Sequence, residues 1–440
     1  MFRLALLVLW LSGDSAVDLH GRPLLLVLSF DGLGHDRLEH DRLKASLPNL
    51  SELRKRSCYV PRLRPPFPSV SVVSHLSLVT GLWPESHGVV ADPVWDPESG
   101  KAVDPSLHPQ AFRVVPIWAS NEQAGGTSGV SGWPLWGQRP PTHVGPGDGA
   151  TGWRQRLDEA LSWFEMGANL VVFRESMLMD IGRLHGPDSE QVMRGVEELD
   201  RLVGHLLDRL LRLEWAERLN VICVSGHGLA ANEPDLVIPL QATGNGRRFR
   251  VSNRSPALFV HTEPGREEDL YREFLEGSKK WGFRVLRRNE FPRRWHLKRS
   301  PRAGDLILLA SPPNAFSLAI WKGSAGYDNK LEKMQGFLLA WGPALKKGFN
   351  LDMTVDVVDV YPLLCHLLDI PPRPNNGSFI YHLSSLIPIE EVETFSIYSI
   401  LLTIGVLGGT TGLIIASVII IMVCKKCQHR SKLKSDFIMQ

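Results

Sequence analysis

The run Ser29-Phe30-Asp31-Gly32 places a carboxylate where an apolar strand would end in a glycine turn. Downstream, Pro66-Phe67-Pro68-Ser69-Val70-Ser71 leads into the apolar stretch that carries Ser74, His75 and Val79, so Ser69 or Ser71 opens a helix. A hydroxyl beside the unpaired N–H groups of a helix start is a ready site for an anion such as phosphate. Another apolar run ends in Ser225-Gly226-His227-Gly228, which adds an imidazole. His75 and His87, inside the helical stretch and just after it, read as structural.

These groups need a scaffold that brings them together. Leu24–Ser29, Leu170–Phe173, Asn220–Ser225, Ala257–Val260, Leu306–Leu309 and Gly336–Ala340 are short apolar runs that read as buried strands. Between them lie helical patterns, the best from about Asp188 to Leu213, with Val192, Val196, Leu199, Leu202, Val203 and Leu206 on one face and Asp188 as the expected N-cap. Such alternation predicts an α/β fold, with a largely parallel sheet flanked by helices. Ligands then bind at the carboxyl ends of the strands. That rule points to Asp31, to the segment after Phe173 and to Gly226-His227.

The two ends carry a different signal. Met1–Ala16 reads as a signal peptide, with Arg3 before the apolar run Leu4–Leu11. Residues 17–387 form the large domain, 388–399 a stalk, 400–423 a transmembrane helix and 424–440 a basic tail. Lys425, Lys426, Arg430, Lys432 and Lys434 place the tail in the cytosol by the positive-inside rule. The expected location is therefore the plasma membrane, type I, with the domain outside. Of five cysteines, Cys58, Cys223 and Cys365 belong to the large domain, and Cys223 reads as a buried thiol rather than half of a disulfide. Cys424 and Cys427 suit reversible acylation at the membrane edge. Sequons at Asn49, Asn253 and Asn376 fit an extracellular domain. A formal charge of +2 from 49 basic and 47 acidic residues carries no nucleic-acid footprint.

Over roughly residues 23–387 the sequence resembles the ectonucleotide pyrophosphatase/phosphodiesterase family of the alkaline-phosphatase superfamily. The resemblance rests on ordered motifs: SFDG at Ser29, VTGLWPESHG at Val79, VPIW at Val115, Trp133-Pro134, GPDS at Gly186, GYDN at Gly326, YPLLCHLL at Tyr361 and NGS at Asn376. The type I layout is most similar to family members four and five. The resemblance implies two zinc ions, a threonine nucleophile and hydrolysis of nucleotide or phospholipid-type phosphodiesters.

Carried over residue by residue, it implies something else. The nucleophile position falls on Ser71 and a phosphoryl-binding asparagine on Ser74. Asp31 and His227 keep ligand side chains, whereas Met179, Arg183, Gly226 and Ala325 occupy the remaining ligand positions. Asp180 and His185 lie close enough in sequence to serve as drifted ligands. Zinc needs three or four N, O or S donors, and Arg183 adds repulsion of roughly 8 kcal/mol at about 4 Å and an effective dielectric near 20. The expectation is a catalytically impaired or inactive protein with no bound cofactor, acting in recognition or ligand binding. Arg183 would capture a phosphate-containing ligand at the helix that begins near Ser71, or the partner would be an extracellular protein. The alternative is an active hydrolase with a rearranged metal site.

Overall fold

A computed structural model describes residues 21–388, apart from 134–139, 148–151, 240–248, 317–320 and a few single positions. The expected signal peptide at 1–16, the span at 400–423 and the tail lie outside the described residues. Among those described, no helix is long and apolar enough to cross a membrane. The chain divides into a small unit spanning Ile387–Gln440 and a main unit spanning Met1–Leu386.

Its centre is an eight-stranded sheet. In chain order the strands are β1 (Leu24–Phe30), β2 (Cys58–Arg64), β3 (Ser128–Ser131), β4 (His143–Val144), β5 (Leu170–Glu175), β6 (Leu219–Ser225), β7 (Gly336–Trp341) and β8 (Thr354–Asp356). They lie in the order β8-β2-β7-β6-β1-β5-β3-β4. Strand β1 runs parallel to both β5 and β6, with Ser29 opposite Arg174 and Val224. Every residue of β1 and β6 is buried, as strands covered on both faces must be.

Helices α1 (Pro48–Arg56), α2 (Ser71–Thr80), α3 (Ile117–Gln123), α4 (Trp153–Glu165), α5 (Met177–His185), α6 (Glu190–Leu210) and α7 (Val360–Leu367) surround the sheet. One face is covered by α1, α4 and α6, whose Leu50, Leu157, Val196 and Leu199 pack with Leu26, Leu28 and Phe173. Each such side chain contributes about 1.5–3 kcal/mol by leaving water. Helices α2, α3 and α7 pack together, with α7 against β1.

Three expectations need correction. Helix α6 is capped by Ser189, whose Oγ accepts from the Val192 N–H at 3.3 Å, while Asp188 pairs with Arg37 at 2.6 Å. Strand β7 belongs to the main sheet but runs antiparallel to both neighbours. The apolar runs at 257–260 and 306–309 lie in a separate antiparallel sheet with 249–252 and 283–287, under the helix Glu267–Trp281. An uninterrupted apolar run records burial on two faces and says nothing of strand direction, which is why these runs looked alike.

His87 is structural, as its sequence context suggests. Its Nδ1 accepts from the Val89 N–H at 3.1 Å, so Nε2–H faces Ser77 Oγ at 3.0 Å. Burial pushes its pKa down to about 3. The unfolded chain binds a proton there as the pH falls below about 6.5, and the folded chain does not until about 3. His87 therefore adds stability above pH 6.5 that is lost as acid approaches 3. Chemical denaturation of His87→Asn at stepped pH should show the acid-side slope reduced by about one proton, or about 1.4 kcal/mol per pH unit. An unchanged slope would contradict a neutral, buried His87.

Candidate functional site

Asp31 follows β1 directly, and its N–H donates to the Glu175 carbonyl at the end of β5 at 2.9 Å. The chain must then turn within one residue. Gly32 does so at φ 77°, and any Cβ there would stand 3.1 Å from the Met179 Cα. Ser71 is the first residue of α2, and His227 follows β6. Strand ends and helix start thus bring the three groups together. Ser71 Oγ donates to Asp31 Oδ1 at 3.1 Å and lies 3.2 Å from His227 Nε2, which is 2.9 Å from the same carboxylate oxygen. The Gly228 carbonyl sits 3.0 Å from His227 Nδ1, and Nε2 faces Ser71 and Asp31.

His75 lies one turn along α2 from Ser71. Its Nδ1–H donates to the Ser71 carbonyl at 2.7 Å, and its Nε2 accepts from Ser29 Oγ at 3.0 Å. Burial outweighs the pull of Asp31 and lowers its pKa to about 4, so the ring is neutral at physiological pH. With both nitrogens engaged by its own scaffold, and Trp133 edge-on at 4.9 Å, His75 is a support for the helix start.

The strongest partner of Asp31 is a residue that the motifs do not flag. Arg174, the penultimate residue of β5, places Nη2 2.5 Å from Asp31 Oδ2 and donates from Nη1 to the Gly132 carbonyl at 3.0 Å. Its side chain is 11% exposed and that of Asp31 is 0% exposed, so the pair is shielded from water. Burial alone would raise the Asp31 pKa; Arg174, with His75 and His227, holds it well below the ordinary carboxylate range. A second buried pair, Arg156 with Glu175, lies immediately behind. A charged residue closing an otherwise apolar strand beside Asp31 was the available signal for Arg174. The strand read from sequence stopped two residues short, at Phe173.

The other positions that the resemblance implies as ligands carry none of the thiolate, imidazole or carboxylate groups that hold zinc. Met179, on α5, packs with Leu229 and Ala325 in a small apolar cluster, the three being 2%, 4% and 5% exposed. Gly226 has its carbonyl hydrogen-bonded by Ser74 Oγ at 2.7 Å, and a Cβ on it would stand 2.6 Å from that oxygen. Arg183 is half-buried in the last turn of α5, where its carbonyl accepts from Lys322 N–H at 2.8 Å. Asp180 and His185 are exposed on the same helix, turned away from the face that buries Met179, so neither replaces a lost ligand. Among the described residues no group of three or more His, Cys, Asp or Glu is arranged to hold a metal. The residues present do not fit a pair of zinc ions.

The three sequons differ in their surroundings. Asn253 is buried, with φ 68°, and its Nδ2 donates to the Ala257 carbonyl at 2.8 Å. Asn49 Nδ2 donates to the buried Asp200 at 2.8 Å. Asn376 is exposed and uses only its Oδ1, which accepts from the Trp83 N–H at 2.9 Å. Cys58, Cys223 and Cys365 are all buried free thiols.

Comparison with known proteins agrees with this architecture. The family described as type I phosphodiesterase / nucleotide pyrophosphatase matches residues 25–337. Human ectonucleotide pyrophosphatase/phosphodiesterase family member 5 is 29% identical over 374 residues, covering 81% of this chain and 76% of the relative. The human bis(5'-adenosyl)-triphosphatase ENPP4 is 31% identical over 376 residues, covering 81% and 80%. Among solved structures, murine ectonucleotide pyrophosphatase/phosphodiesterase 5, in an inactive form with AMP, superposes with a TM-score of 0.77 at 28% identity, covering 83% of this chain and 100% of that one. With its alkaline-phosphatase-like α/β fold, the chain belongs to the type I phosphodiesterase/nucleotide pyrophosphatase family.

Proposed function

We propose that this chain is a catalytically impaired or inactive member of its family that acts in recognition or ligand binding. On this reading residues 400–423 anchor it as a type I protein in the plasma membrane, with the folded domain outside the cell. One observation carries the inactive reading: the apolar cluster of Met179, Leu229 and Ala325. A catalytic zinc needs at least three protein donors of thiolate, imidazole or carboxylate type, and these side chains supply none. Without such ions nothing activates a serine hydroxyl or stabilises charge on the leaving oxygen, so Ser71 and Ser74 are vestigial. The domain holds no cofactor. Its partner is a phosphate-containing ligand, for which Arg183 has suitable chemistry, or an extracellular protein, and not a nucleic-acid polymer.

The opposing reading, hydrolysis of a phosphodiester through a rearranged metal site, has one observation in its favour. Ser71 Oγ still lies within hydrogen-bonding reach of both Asp31 and His227. The full-length chain and its Ser71→Ala variant, assayed side by side on a dinucleoside polyphosphate with added zinc, should give the same background rate. Metal-dependent turnover abolished by Ser71→Ala would establish the hydrolase instead.

The apolar cluster makes its own demand. Met179→Asp buries an unpaired carboxylate and should lower unfolding free energy by about 3 kcal/mol or more, with or without zinc. Met179→Leu should cost less than about 1.5 kcal/mol. Denaturant titrations compare the two, and rescue of Met179→Asp by zinc would show that a metal site survives there. For the domain's location, intact mass before and after enzymatic deglycosylation should report one glycan, lost in Asn376→Gln. Retention of that glycan in Asn376→Gln would assign it to Asn49 or Asn253 and contradict the packing of those amides.

A further inference from the structure

The geometry points to Arg174 as a built-in cation, whose guanidinium takes the place of a divalent ion at Asp31. The inference deepens the inactive reading and rests on a different part of the site. The apolar cluster explains why one ion is not held; it leaves Asp31, His227 and Ser71 converging on a common point. A buried carboxylate at such a point requires a positive partner. Arg174 Nη2 meets Asp31 Oδ2 at 2.5 Å, and the Gly132 carbonyl fixes the same guanidinium at 3.0 Å. The arginine stands on β5, next to β1 in parallel register, with Ser29 opposite Arg174 and Phe30 opposite Glu175. The sheet therefore sets the contact between the two charges, and no loop movement is needed to make it.

Two neighbours are fitted to this arrangement. Gly226, where a carboxylate would complete the ligand set, leaves the space used by Ser74 Oγ. Behind Arg174, Arg156 pairs with Glu175, and Arg156 Nη1 donates to the Arg174 carbonyl at 3.3 Å, bracing the end of the strand. The pocket at Asp31 is thus a latent cation site with its positive charge supplied by the chain. Restoring a carboxylate ligand would by itself admit zinc only weakly, because the guanidinium still occupies Asp31 and repels a dication. Removing the guanidinium as well would admit it tightly.

Full-length chains carrying Ser74→Ala/Gly226→Asp test this, the alanine making room for the new Cβ. Equilibrium dialysis should show weak zinc binding in that variant. Addition of Arg174→Gln should tighten it about a hundredfold, and Asp31→Asn on top should abolish the gain. In the absence of zinc, Arg174→Gln should lower Tm by about 5–10 °C. Zinc should restore Tm only in chains that also carry Gly226→Asp, a response that a purely packing role for Arg174 would not produce. If Arg174→Gln does not fold, Arg174→Lys, which keeps the charge, should fold and still bind zinc weakly. Equal zinc affinity with and without Arg174, or tight zinc binding by the unaltered chain at Asp31, would overturn the assignment. Hydrolysis by the unaltered chain would instead strike the inactive reading, so the two failures are distinguishable.

Discussion

The ion pair between Asp31 and Arg174 is the constraint around which the carboxyl edge of the sheet is organised. Two charges shielded from water lose several kcal/mol of hydration each, which mutual attraction offsets only when the geometry is good. Here the geometry comes from adjacent parallel strands, with the carboxylate just past the end of β1 and the guanidinium one residue before the end of β5. Removing either partner leaves the other buried and uncompensated, a loss of about 3–5 kcal/mol. The Arg156–Glu175 pair alternates its charges with the first, so each carboxylate of the two pairs has a guanidinium against it.

Around that pair, the substituted positions are complementary to one another. Methionine, leucine and alanine meet where polar ligands are absent, and they bury one another. Leu229 fills space left by glycines, its Cδ1 lying 2.5 Å from where a Cβ on Gly182 would stand. Ser74 and Gly226 interlock by a hydrogen bond and by the missing Cβ. Random loss of ligands would leave orphaned polar groups and gaps, each with a cost to stability. The observed packing instead fills each of these positions.

Much of this was legible in the sequence, for identifiable reasons. Strands β1, β5 and β6 announce themselves as apolar runs, and the residues just beyond them are the site. Asp31, Ser71 and His227 are found by that rule together with the family motifs. Arg174 was not, because the motifs draw attention to Arg183, and only strand register reveals which arginine faces Asp31. Leu229 was equally hidden: nothing in its sequence neighbourhood shows that Met179 and Ala325 are its spatial partners. The direction of β7 and the second sheet escaped because buried runs look alike whichever way they pair.

The contact of Ser71 with His227 resembles a nucleophile and its base, and the surrounding electrostatics bear on the proposed inactivity. Ser71 Oγ lies 3.1 Å from Asp31 Oδ1 and 3.2 Å from His227 Nε2, so the carboxylate and the imidazole share one hydroxyl. Asp31 is itself held by Arg174, so the nearest positive charge is already engaged by a carboxylate and by the Gly132 carbonyl. A phosphodiester entering here would bring a negative charge toward a carboxylate that is neutralised but not exceeded. Phosphoryl transfer depends on preorganised charge aimed at the attacking and leaving oxygens, usually the largest catalytic contribution. On the proposed reading, a serine and a histidine without that charge hold a hydrogen-bond network in place rather than lower the barrier.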